Sequence, residues 1–156
     1  MTTKETTTVH TDDKSVTLER TYNATPERLY EAWTDPKLFA RWLAPGPMMK
    51  VELPTYEARK GGRFRIEMTG PGRDGKESTF VYEGTFDDLV PRERVVMTWQ
   101  VAAAEESYPP SVVTATFTPV EGGTRMRLTQ DVPSEDFAKG AAAGWSYAFE
   151  QLANVL

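Results

Sequence analysis

The sequence contains no cysteine and a single histidine. The first absence excludes disulfides, thiolate metal sites and a thiol nucleophile. The second leaves only His10, in a polar N-terminal stretch, which can build neither a catalytic triad nor a metal site on its own. Long apolar runs are missing too: none approaches the roughly 18 residues of a membrane span, so no membrane insertion is expected. Basic residues are outnumbered, 18 Lys and Arg against 23 Asp and Glu, for a formal net charge of −5. That balance argues against nucleic acid, which requires a basic stripe, and against anionic membrane surfaces. Gly46, Gly61, Gly62 and Gly75 read as turns, and no Gly-rich loop of nucleotide type links a strand to a helix. No cofactor or metal is therefore expected. Residues 1–13 are polar and Thr-rich without an apolar centre, unlike a secretory signal. They read as a flexible tail, followed by one domain over 14–156, with the cytoplasm as the expected location.

What is present is a clear order of periodicities. Val16, Leu18, Arg20 and Tyr22 alternate with polar residues, a strand pattern. Thr25-Pro26 and Asp35-Pro36 each place a capping residue before a proline suited to the first helical position, so two short helices follow in tandem. Pro45-Gly46-Pro47 ends them. Strand patterns then run through Met49–Leu53, Phe64–Met68, Phe80–Phe86, Val95–Val101, Val113–Phe117 and Met126–Gln130, joined mostly by short turns, which implies an antiparallel sheet. Ser134 caps a final long helix in which Trp145, Phe149, Leu152 and Leu156 form one apolar seam. The expected fold class is α+β: a curved antiparallel sheet of about seven strands wrapped around a long C-terminal helix, with two short helices between strands 1 and 2. Small residues crowd the first half of that helix (Ala138, Gly140, Ala141, Ala142, Ala143, Gly144), so the helix and the curved sheet can enclose a hollow.

Most residues that could carry chemistry have a plainer reading. Asp12-Asp13, Asp87-Asp88 and Glu105-Glu106 sit at turns or in loops and read as solvated acids. Glu67 and Glu83, with Arg63, Arg65, Arg125 and Arg127, fall out of phase with the apolar face, as a salt-bridged convex surface would. Gln130 is in phase with Met126 and Leu128; it is either satisfied within the core or anchors a ligand. The four tryptophans, Trp33, Trp42, Trp99 and Trp145, suit a core, and would suit an aromatic ligand wherever one lines a hollow.

The segment Arg20–Pro36 with Leu38 and Arg41-Trp42 resembles the opening signature of the activator-of-heat-shock-protein-ATPase-like family of the SRPBCC (START-like, helix-grip) superfamily. Glu57-Ala58-Arg59-Lys60-Gly61-Gly62, the stretch Gly84 to Trp99, Gly122-Gly123-Thr124 and Gly144-Trp145 with Phe149 and Leu152 are similar to its later motifs, in order. Leu43 and Ala44 depart from the usual Trp and Gly, and Glu57 from the usual Asp. The resemblance implies a helix-grip fold with a hydrophobic cavity between sheet and helix. Superfamily members bind apolar molecules, and some are cyclases, dehydratases or hydroxylase components. The expected lining is Trp33, Trp42, Phe64, Ile66, Met68, Phe80, Tyr82, Met97, Trp99, Ala115, Met126, Gln130, Ala141, Gly144, Trp145 and Ala148.

Three functions compete. A binding protein for a small hydrophobic, aromatic or lipid-like molecule needs only the hollow, and Gly144→Leu should then fill it. A cyclase- or hydrolase-type enzyme would have to rely on cavity acids, on Gln130, or on tyrosines such as Tyr82 and Tyr147. A protein-interaction module, either a chaperone partner or a homodimer, would need an exposed apolar patch.

Overall fold

In the computed structural model, residues 6–72, 74–102 and 109–156 are described. Glu105 and Glu106 lie outside them, as do residues 1–5 of the expected tail. Eleven elements follow in order: β1 (Thr8–Thr11), β2 (Ser15–Tyr22), α1 (Pro26–Thr34), α2 (Pro36–Trp42), β3 (Lys50–Tyr56), β4 (Arg63–Pro71), β5 (Glu77–Val90), β6 (Arg94–Val101), β7 (Ser111–Val120), β8 (Gly123–Asp131) and α3 (Glu135–Val155). All strands join one antiparallel sheet in the order β1-β2-β8-β7-β6-β5-β4-β3. This is the helix-grip arrangement.

The count is eight strands rather than about seven, because part of the expected tail is an edge strand. Thr8–Thr11 pairs with Val16–Glu19, and the turn between them is built on Asp12. Its carboxylate accepts the backbone N–H groups of Lys14 (2.8 Å) and Ser15 (2.7 Å), which also hold its pKa below the usual Asp value. All four β1 residues are exposed, so no apolar alternation marks them in the sequence.

The helices begin where their caps predict. Thr25, Asp35 and Ser134 each accept a backbone N–H with the side-chain oxygen, satisfying donors that the first turn leaves open. Asp35 serves two helices: its N–H closes α1 on Glu31, and its carboxylate opens α2 through Lys37. Helix α3 lies across β2, β1 and α2, and α1 lies over β7 and β6. The Tyr22 hydroxyl donates to the Phe149 carbonyl at 2.8 Å, tying sheet to helix, and Arg28 donates to the Val155 carbonyl at 3.2 Å at the C-terminal end of α3. There the guanidinium meets carbonyls the helix cannot satisfy itself.

The convex face carries the expected pairing of Arg65 with both Glu67 and Glu83, and Arg127 lies 3.6 Å from Glu19. Asp87 and Asp88, expected as solvated turn acids, lie instead within β5, where Arg94 holds Asp88 at 2.8 Å and the Thr85 hydroxyl donates to Asp87. The concave face of the sheet, α1, α2 and α3 share one core.

Candidate functional site

The core beneath α3 is filled by aromatic rings in a closed circuit. Trp33 stacks on Trp145 (6.0 Å between centroids), Trp145 meets Trp99 (5.7 Å), Trp99 meets Phe64 (5.8 Å) and Phe64 meets Phe86 (5.6 Å). The chain of contacts returns through Tyr56 (5.1 Å), Phe39 (5.2 Å) and Trp33 (5.6 Å). Gly84 makes this possible on the sheet side: a Cβ there would lie 2.7 Å from the Phe64 ring and 1.7 Å from the Thr98 carbonyl oxygen. Trp42 packs edge-on against Trp33 at 5.0 Å and donates its N–H to the Ala32 carbonyl at 2.8 Å.

The residues expected to line one hollow consequently divide into three groups. Trp33, Trp42, Phe64, Ile66, Met97, Ala115, Met126 and Ala148 are buried within the packed core, facing inward from helices and strands but with their neighbours' side chains filling the space. Met68, Phe80 and Tyr82 instead border an open groove farther along the concave face, completed by Pro45, Gly46, Pro47, Met48, Met49 and Pro71. Its volume is about 430 Å³. Between these groups, Trp99, Trp145 and Gln130 form the layer behind the groove wall, with the Trp99 ring 5.4 Å from that of Tyr82. Ala141, half-buried on α3, packs against the core.

Gly144 has a different role from the one its small size suggested. A Cβ on it would meet the Cβ of Pro45 at 3.2 Å, so its smallness seats the loop after α2 against α3 rather than opening a hollow. The same loop rests at its other end on Gly70, where a Cβ would lie 2.3 Å from the Met49 sulfur and 2.8 Å from the Met48 carbonyl oxygen. Two glycines, one on the helix and one on β4, thus set the position of the groove's outer wall.

Gln130 is satisfied within the core. Its side-chain oxygen accepts the Trp145 indole N–H at 2.8 Å and its amide donates to the Ser111 hydroxyl at 3.0 Å. Burial raises the pKa of Tyr82 above the ordinary phenol value, so its hydroxyl stays protonated at neutral pH. No charged side chain borders the groove among the described residues, and Tyr147 is not part of its wall. On the convex side, a second hollow of about 370 Å³ has a mixed lining that includes Arg63, Arg65, Glu83, Gln100 and Phe64. Among the described residues no cluster of His, Asp and Glu could hold a metal ion, and no helix is long and apolar enough to cross a membrane.

A curved antiparallel sheet gripping a long C-terminal helix, with an apolar groove at one end of the concave face, defines a helix-grip protein of the SRPBCC type. The chain belongs to the Activator of Hsp90 ATPase homolog 1-like family, whose model matches residues 23–156. Over 138 residues it is 30% identical to the human Activator of 90 kDa heat shock protein ATPase homolog 1, covering 86% of this chain and 35% of the human protein. The chain therefore spans about a third of the length of that relative. Among solved structures, protein CV1439 of Chromobacterium violaceum is 28% identical with a TM-score of 0.80, covering 90% of this chain and 95% of that one. Protein Ms6760 of Mycobacterium smegmatis shares the fold at 21% identity and a TM-score of 0.81, covering 96% of each chain.

Proposed function

We propose that the protein is a non-catalytic binder of a small apolar molecule, held in the groove between the Pro45–Met49 loop and the open end of the concave face. The observation that carries this is the groove itself: about 430 Å³, walled by methionine, proline and aromatic side chains with no charged group among the described residues. Small-molecule sites of this kind run from about 300 to 1,000 Å³. Ligand burial there draws on apolar transfer, about 25 cal/mol per Å², and thioether side chains adapt to varied shapes. An enzyme of cyclase or hydrolase type would need an acid–base pair matched to neutral pH. Among the described residues Tyr82 is the only ionisable side chain bordering the groove, and its burial moves its pKa away from neutrality.

Titration with the neutral dye Nile red, followed by its emission, tests the reading. Wild type is expected to bind, and Phe80→Arg to bind at least about tenfold more weakly, because a charge then faces an apolar wall. The thermal midpoint should hardly move, since Phe80 is 44% exposed. Equal binding by the variant, or none by wild type, would overturn the proposal. Native mass spectrometry of protein purified from its host would identify the class of a bound molecule.

A second reading, a docking surface for another protein, is favoured by one observation: Met48 (72% exposed) and Phe80 project at the groove rim. The human relative's name points to a 90 kDa heat shock protein as the partner class. The ATPase rate of such a protein, measured with and without this chain, tests it; a rise that Phe80→Arg removes would support it.

A further inference from the structure

With no cysteine in the chain, its sulfur chemistry rests on six methionine thioethers. Five of the six fall among the described residues, and three of these, Met48, Met49 and Met68, border the groove. They differ sharply in access. Met68 is buried, and Met49 is partly buried with its sulfur against Gly70, where a Cβ would lie 2.3 Å away. Met97 and Met126 are fully buried in the core, and the Met126 sulfur accepts the Trp33 indole N–H at 3.2 Å. Met48 alone of the five is open to solvent, at 72% exposure. Its backbone is nonetheless held. The Met49 N–H donates to the Gly46 carbonyl at 3.3 Å, closing a turn, and the Met48 carbonyl oxygen lies 2.8 Å from where a Cβ of Gly70 would stand. A fixed backbone thus presents one accessible thioether at the rim of an apolar groove.

Resting on the groove-binding reading, we propose that Met48 is an oxidation site that couples the groove to hydroperoxides: in its sulfoxide form the protein holds the apolar ligand more weakly. The Met48 sulfur lone pair attacks one oxygen of hydrogen peroxide and the O–O bond breaks. The departing hydroxide takes the proton of the transferred oxygen and leaves as water. The sulfur is oxidised by two electrons and the peroxide is reduced by two. A flexible apolar side chain becomes a polar one, and the change is reversible by reductases. With the groove empty, the sulfoxide oxygen keeps its water, because the side chain is exposed. A seated ligand covers the rim, and that oxygen then loses hydration against methionine, proline and aromatic walls. The cost falls on the bound state alone, so oxidation weakens binding without unfolding the protein. Burial of Met68, Met97 and Met126 shields the sulfurs whose oxidation would disrupt the core.

Treatment of the wild-type protein with hydrogen peroxide, stopped with catalase, tests this. Peptide mass spectrometry reads the site, and Nile red titration of the same sample reads the coupling. At low conversion, Met48 is expected to carry most of the oxygen found on Met48, Met49, Met68, Met97 and Met126. Once Met48 is fully oxidised, Nile red affinity should fall about three- to tenfold, the desolvation of one polar oxygen, with the thermal midpoint hardly changed. Methionine sulfoxide reductases, one for each sulfoxide epimer, should restore the affinity. Met48→Leu, whatever its own starting affinity, should keep that affinity through the same treatment. Oxidation spread evenly over the five methionines, or concentrated on a buried one, overturns the site. Oxidised Met48 with unchanged Nile red affinity, or a Met48→Leu variant that loses as much affinity as wild type, overturns the coupling. Each of these results leaves the groove reading intact. Failure of untreated wild type to bind Nile red overturns the groove reading and the coupling together.

Discussion

Gln130 shows what a single inward polar side chain does in this core. It accepts from one tryptophan, donates to Ser111, and leaves neither partner stranded. Replacing it with leucine keeps the volume but removes the acceptor from the buried Trp145 N–H. Gln130→Leu is expected to cost about 1–3 kcal/mol, read as a lower urea midpoint with an unchanged slope. Gly84 is the opposite case, a residue defined by what it omits. Gly84→Ala would drive a methyl group into the Thr98 carbonyl and the Phe64 ring, and should cost about 3 kcal/mol in the same assay. From sequence, Gln130 was legible as inward and in need of partners. Which partners it had was not, because Ser111 and Trp145 reach it from other elements.

At the scale of elements, the legible features were those written in short windows. Thr25-Pro26 and Asp35-Pro36 announce helix starts, and alternating apolar residues announce strands. Asp35 is the clearest test, because one carboxylate and one N–H join two helices. Asp35→Ala should destabilise the protein by about 1 kcal/mol and Asp35→Asn by much less, both read by urea unfolding. Edge strand β1 was not legible: its exposed Thr, Val and His have no apolar phase, and it is placed by an Asp12-centred turn. The groove was missed for a related reason. Strand phase tells which side chains face inward, but not that the tryptophans would interlock and move the open space toward the Pro45–Met49 loop. Gly144 couples that loop to α3. Gly144→Leu is expected to leave the fold intact, cost about 1–3 kcal/mol by overpacking, and change Nile red affinity by shifting Pro45.

For the whole molecule, a few surface carboxylates set a pH dependence. The Asp88 carboxyl is held below the usual range chiefly by its hydrogen bond from Arg94, Asp12 by the Lys14 backbone N–H, and Glu27 chiefly by its own backbone N–H. Each folded-state pKa is depressed, so each adds stability above the unfolded carboxylate value that disappears as pH falls through the folded one. Asp88→Asn should therefore narrow the drop in thermal midpoint between about pH 7 and about pH 3, an effect that added salt weakens.

The order of strands carries a further consequence. Val16 pairs with Gln130, so the second strand waits for the eighth, and α3 closes over it only afterwards. Until α3 has emerged from the ribosome, the ring-bearing side of the sheet lacks the helix that closes over β2. Nascent chains should accordingly stay protease-sensitive until α3 is made, as expected when the decisive contacts join distant parts of a chain.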